Sequence, residues 1–115
     1  MRALPPPPLP IELVIVCQSV AYPVNVGSIF RIADALDVSE VVLTGITPTP
    51  PHPKISKVGR DKDRRVPCRY VDRPEDALKE LKAQGFWLTA LEITDQCQPY
   101  YAVDYPQRVA LVLGN

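Results

Sequence analysis

The run IELVIVC, residues 11–17, is apolar at nearly every position and rich in β-branched side chains. A strand with one wet face alternates apolar and polar residues, so a continuous apolar run predicts a strand buried on both faces. EVVLTG (40–45), FWLTALEI (86–93) and RVALVLGN (108–115) follow the same rule, and CRYV (68–71) predicts a short strand. Between them the period changes. Val26, Ile29, Phe30, Ala33 and Leu36 recur at three- and four-residue spacing, which predicts a helix over Val26–Leu36 with that stripe facing a core. RPEDALKELKAQG (73–85) is the clearest helix. Pro74 lies in its first turn, Glu75 and Asp76 suit its positive end, Ala77, Leu78 and Leu81 form its stripe, and Gly85 closes it.

Strands and helices alternate, and the strands are apolar throughout. That predicts an α/β domain: a parallel sheet with flanking helices. Residues 46–67 have no steady period and many prolines, and are expected to form a long loop with one helical turn near Ile55–Val58. Residues 1–10 are expected to be a proline-rich tail, with LPPPPLP (4–10) extended in polyproline II because proline fixes φ and lacks an N–H. Residues 11–115 form the domain. The sequence stops at Asn115, directly after VALVLG, where a buried parallel strand normally feeds a covering helix. The expectation is a fragment or truncated product lacking its last elements.

Composition adds exclusions. The chain is 46% apolar and 23% charged, and it has no apolar run near the ~20 residues that span a bilayer. MRALPPPPLP lacks the apolar core of a signal peptide, so a cytoplasmic protein is expected, with no membrane partner. Cys17, Cys68 and Cys97 are widely spaced, and the lone His52 has no cysteine beside it, which argues against a metal site and against a disulfide framework. Cys17 is expected to be a buried small hydrophobe. The formal net charge is zero, yet Lys54–Arg73 holds eight basic residues and three acids. Such a segregated block points to a polyanion, with a solvated and locally paired loop as the competing account.

PVNVGSIFRIADAL (23–36) carries the candidate chemistry. In an open α/β sheet, ligands bind at the carboxyl ends of the strands, where the first helix begins. Asn25 is placed to cap that helix. Gly27 lets another group approach the backbone. Arg31 lies four residues beyond Gly27, one turn deeper and away from the centre of the apolar stripe. The residues alone also allow a plain reading, a capped helix with Arg31 bridged to Asp34. Neither a dinucleotide-binding glycine fingerprint nor a phosphate-binding loop is present.

NVGSIFRIADALDVSEVVLTGITPTPPH closely resembles the first motif, and the stretch after it, of the SpoU/TrmH group of SPOUT RNA methyltransferases. VALVLGN resembles the opening of that family's second motif. KISKVGRDKDRRVPCRYV resembles the stretch between, although Val58-Gly59-Arg60 stands where the family often has Leu-Gly-Ala. The resemblance covers about residues 11–115. The family's third motif, a Ser-Leu-Asn stretch, is absent, so a SPOUT-type (α/β knot) fold lacking its C-terminal knotted part is expected.

The resemblance implies transfer of a methyl group from S-adenosylmethionine to a ribose 2′-hydroxyl of tRNA or rRNA. Carried over by position, it implies Arg31 and Asn25 as catalytic residues, and Leu91, Glu92, Gly114 and Asn115 as cofactor contacts. Gly27, Lys54, Lys57, Arg60, Arg64 and Arg65 would meet RNA, and the complete domain would be a homodimer. Tyr100, Tyr101 and Tyr105 either stack a base or pack their own loop. A non-catalytic RNA-binding fragment and a nucleotide-binding module of another family are the alternatives.

Overall fold

The apolar run near the start of the chain becomes the middle of the sheet. The computed structural model describes residues 12–90 and 108–114. In chain order the elements are β1 (Glu12–Gln18), α1 (Pro23–Ala35), β2 (Glu40–Thr44), α2 (Pro53–Gly59), a short 3-10 turn (Lys62–Arg64), β3 (Cys68–Val71), α3 (Pro74–Ala83), β4 (Trp87–Ala90) and β5 (Arg108–Gly114). The five strands form one sheet in the order β3-β2-β1-β5-β4, parallel at every pairing.

The middle of β1, from Leu13 to Cys17, is apolar because it feeds two cores. Ile15 and Cys17 face the side covered by α1 and α2, where Val26, Phe30, Leu43 and Ile55 complete the packing. Val14 and Val16 face α3, with Val42, Ala77, Leu81 and Phe86. Phe30 is fully buried, and truncating such a side chain to Ala costs about 3–5 kcal/mol.

Three helices begin with a proline as their first residue: Pro23, Pro53 and Pro74. Proline's fixed φ suits that position, and its missing N–H is one the helix would leave unbonded anyway. This corrects two expectations. α1 starts at Pro23 rather than Val26, so Asn25 is its third residue and no cap; its N–H donates to the carbonyl of Tyr22 at 3.0 Å. The helical turn expected near Ile55–Val58 is present and longer than expected: it is part of α2, which is capped by His52, whose Nδ1 accepts from the N–H of Lys54 at 3.1 Å.

Two further expectations fail at the edges. Leu36 is not in the core stripe: it follows the last turn of α1 and is 54% exposed. Among the described strands β4 lies at the edge rather than doubly buried, pairing with β5 alone, and Trp87 is 61% exposed. Leu91, Glu92, Cys97, Tyr100, Tyr101, Tyr105 and Asn115 lie outside the described residues.

Candidate active site

The carboxyl ends of the three central strands form one row, Thr44 beside Gln18 beside Gly114. The chain leaves that row at Gln18 and enters α1 at Pro23. Buried hydroxyls hold the passage. Thr44 Oγ1 donates to the carbonyl of Cys17 at 2.7 Å, and Thr47 Oγ1 accepts from the N–H of Val20 at 2.9 Å. Ser19 takes a left-handed φ of 53°, and its N–H donates to the carbonyl of Thr44 at 3.3 Å. Gly45 has φ of 62°, a left-handed conformation that favours glycine, and a Cβ there would also displace the hydroxyl of Ser19. Sequence reasoning missed this rim; its signal was the threonines around the end of β2.

Arg31 sits eight residues into α1 from Pro23, about 12 Å along the helix axis. Helical side chains lean back toward the N-terminus, and so toward the rim. Arg31 is exposed and forms no ion pair or hydrogen bond among the described residues. With Ser28, Ile32 and Ala35 it lines a shallow groove of about 300 Å³.

The expected alternative, an Arg31–Asp34 bridge, is not formed. Asp34 turns to the 3-10 segment instead, 3.2 Å from Lys62 Nζ and 3.7 Å from Arg65 Nε. Asn25 is exposed. It lies six residues before Arg31, about 120° around the helix from it, and no hydrogen bond joins the two among the described residues.

Gly27 is corrected. It does not clear space for a ligand, because α2 already fills that space. A Cβ on Gly27 would lie 2.8 Å from the carbonyl oxygen of Ile55 and 3.0 Å from the nitrogen of Gly59. Gly27 is buried and serves helix packing, which removes it from the expected RNA contacts.

The basic block divides in two. Arg69 is held by Glu40 at 3.0 Å and Glu80 at 2.7 Å, Arg73 by Glu75, and Lys62 and Arg65 by Asp34. Arg65 is thus partly committed within the fold, though its side chain stays 70% exposed. Lys54, Lys57, Arg60 and Arg64 are exposed and meet no carboxylate among the described residues. These four remain for a polyanion, and all lie on α2 or the turns after it.

The described thiols are not activated. Burial pushes the Cys17 thiol up to about 12. Cys68 is also raised, by burial first and then by the charges of Asp63 and Glu40. Among the described residues no cluster of three or more His, Cys, Asp or Glu side chains could hold a metal ion, and no helix is long and apolar enough to cross a membrane. Of the expected cofactor contacts, Gly114 is described. It is exposed at the end of β5, and among the described residues a Cβ there would come no nearer than 3.7 Å, to the carbonyl of Gln18.

The sequence and the fold match a known family. Residues 12–115 match the SpoU rRNA Methylase family. The chain belongs to that family. It is 32% identical over 107 residues to a tRNA (guanosine(18)-2′-O)-methyltransferase of Saccharomyces cerevisiae, covering 90% of this chain and 7% of that protein. It is 28% identical over 103 residues to the 23S rRNA (guanosine-2′-O-)-methyltransferase RlmB of Neisseria meningitidis, covering 90% of this chain and 41% of that one. The crystal structure of an rRNA methyltransferase from Sinorhizobium meliloti superposes with a TM-score of 0.77 at 26% identity, over 90% of this chain and 40% of that one. The SpoU methyltransferase AviRb of Streptomyces viridochromogenes, in complex with AdoMet, shares the fold with a TM-score of 0.75 at 23% identity, over 96% of this chain and 43% of that one. The chain therefore spans less than half the length of these relatives.

Proposed function

We propose that this domain methylates a ribose 2′-hydroxyl in tRNA or rRNA. The observation that carries the reading is Arg31: an exposed guanidinium with no partner among the described residues, on the first helix after β1, whose one carboxylate is committed to Lys62 and Arg65. An unpaired arginine so placed is available to an anion. A guanidinium with a pKa above about 12 is a poor general base. Arg31 instead positions the ribose and stabilises the alkoxide that develops as the hydroxyl proton departs to an RNA phosphate oxygen. Asn25, on the first turn of α1, orients the ribose rather than Arg31.

S-adenosylmethionine, when bound, supplies the methyl group. The exposure of Gly114 supports a place for it at the end of β5, with Leu91, Glu92 and Asn115 as the remaining contacts. Lys54, Lys57, Arg60 and Arg64 hold RNA phosphates, contacts that position the strand without reading its sequence. In the complete protein the domain works as a cytoplasmic homodimer.

The experiment supplies methyl-labelled S-adenosylmethionine and bulk tRNA and rRNA to the purified protein, and digests the RNA to nucleosides. Labelled 2′-O-methyl nucleosides, lost with Arg31→Ala, support the reading. A folded protein that labels no RNA defeats it. The four unpaired cations also favour a second reading, RNA binding without catalysis. Micromolar binding of S-adenosylmethionine in calorimetry would argue against that one.

A further inference from the structure

A second cavity, of about 590 Å³, shares no residue with the Arg31 groove. It lies between the loop after β2 and the edge strand β3. Register explains why it is open. Cys68 and Tyr70 pair with Val41 and Leu43, so they face the side of the sheet covered by α1 and α2. That cover stops short of the edge, leaving Cys68 exposed and Tyr70 45% exposed. Leu43, Cys68 and Tyr70 contribute to one side of the cleft, and Pro48, Thr49 and Pro50 to the other.

Tyr70 is fixed at its tip. Its hydroxyl donates to the carbonyl of Gly45 at 2.6 Å, with Asp72 Oδ1 at 3.4 Å. The ring is thus a pre-positioned, solvent-open aromatic surface beside two prolines. Arg69 also borders the cleft, but its charge is taken up by Glu40 and Glu80. Free cations instead follow and precede the cleft residues along the chain. The chain leaving Pro50 soon reaches exposed Lys54 and Lys57 on α2, and the chain arriving at Cys68 comes from exposed Arg64.

An aromatic platform of this kind, flanked by cations, is how proteins hold single-stranded nucleic acid: bases stack on the ring, and lysines and arginines track the phosphates. We infer that this cleft is a nucleobase subsite, in which an unpaired base of the RNA stacks on Tyr70 while Lys54, Lys57 and Arg64 hold its flanking phosphates. The volume lies within the roughly 300–1,000 Å³ of small-ligand pockets. The subsite rests on the RNA reading above and extends it to a second nucleotide, apart from the one that meets Arg31.

The test uses the full chain and an unstructured, mixed-sequence 12-nucleotide RNA. Tyr70→Leu should weaken binding by about 5- to 100-fold and leave the dependence on salt unchanged, because phosphate contacts remain. Tyr70→Phe, which keeps the ring, should stay within a few-fold of wild type. Circular dichroism confirms the fold of each variant. In the unaltered protein, the same RNA carrying 5-iodouridine should photocrosslink to Tyr70, located by mass spectrometry. Binding of a folded Tyr70→Leu variant within two-fold of wild type overturns the inference, as do crosslinks that map only elsewhere. Methyl transfer is scored separately. Its failure alongside Tyr70-dependent binding would sink the catalytic reading and leave the subsite standing.

Discussion

Gly27 and Gly59 meet backbone to backbone: a Cβ built on Gly59 would lie 3.0 Å from the carbonyl oxygen of Gly27. In an unconstrained helix, Gly→Ala gains up to about 1 kcal/mol. Here overpacking, about 1–3 kcal/mol, opposes that gain, and the close neighbours of Gly27 include backbone atoms that no rotamer change can move. Gly27→Ala and Gly59→Ala should therefore each lower stability in urea denaturation. The double variant should lose less than the sum, because one displacement of α2 relieves both clashes.

Arg31 is exposed and forms no ion pair or hydrogen bond among the described residues, so its loss should not unfold the protein. Arg31→Ala should keep the wild-type denaturation midpoint while methyl transfer falls by about 10²–10³-fold, the range for removing one stabilising donor. Arg31→Lys should recover little, since an ammonium does not reproduce the planar fork. Parallel melting curves and labelled-methyl assays check both halves.

RNA binding should distinguish free from committed cations. Lys54→Gln, Lys57→Gln and Arg64→Gln should each reduce the slope of log affinity against log salt by roughly 0.7, the single-strand value per phosphate contact. Arg69→Gln should leave the slope unchanged and cost stability, because it breaks the pairs with Glu40 and Glu80. Asp34→Asn should steepen the slope by releasing Lys62 and Arg65, at a stability cost below about 1 kcal/mol for pairs this exposed. Fluorescence anisotropy over a salt series reads all five variants.

Cys17 predicts an alkaline weakness. A thiol is charged when deprotonated, and burial raises its folded pKa to about 12 from an ordinary 9.0. The unfolded chain ionises first. The stabilising difference is complete below pH 9 and is lost as pH rises through the window up to about 12, at about 1.4 kcal/mol per pH unit. Cys17→Ala should remove that component. The stability difference between the two proteins should therefore change across this window and stay constant below it.

The sequence showed most where the cause was local. β1 was legible because burial on both faces leaves no polar position, and α3 because its proline, acids and closing glycine are contiguous. α1 was misjudged at its start because Asn25 looked like a cap, while Pro23 carried the true signal. Only the middle of α2 was legible, as one helical turn near Ile55–Val58, because the prolines around it suggested a loop. The misreading of Gly27 follows from that error, since the gap beside it has meaning only once α2 is seen to fill it. Asp34 was beyond local reasoning altogether: its partners lie about thirty residues away, and only the packing of α2 and its following turn brings them close. Arg31 and the free half of the basic block were legible as candidates, but not which cations were already committed.

The order of strands has a consequence for biosynthesis. β5 lies between β1 and β4, so β4 has no neighbour in the sheet until β5 arrives, and Glu12 waits for a partner at Arg108. Pairings this distant in sequence form slowly. On the ribosome, β1, β2 and β3 can assemble early, leaving one flank of β1 open to stray strands until β5 emerges. Chaperone dependence and aggregation of nascent chains should therefore be greatest just before residue 108 clears the exit tunnel.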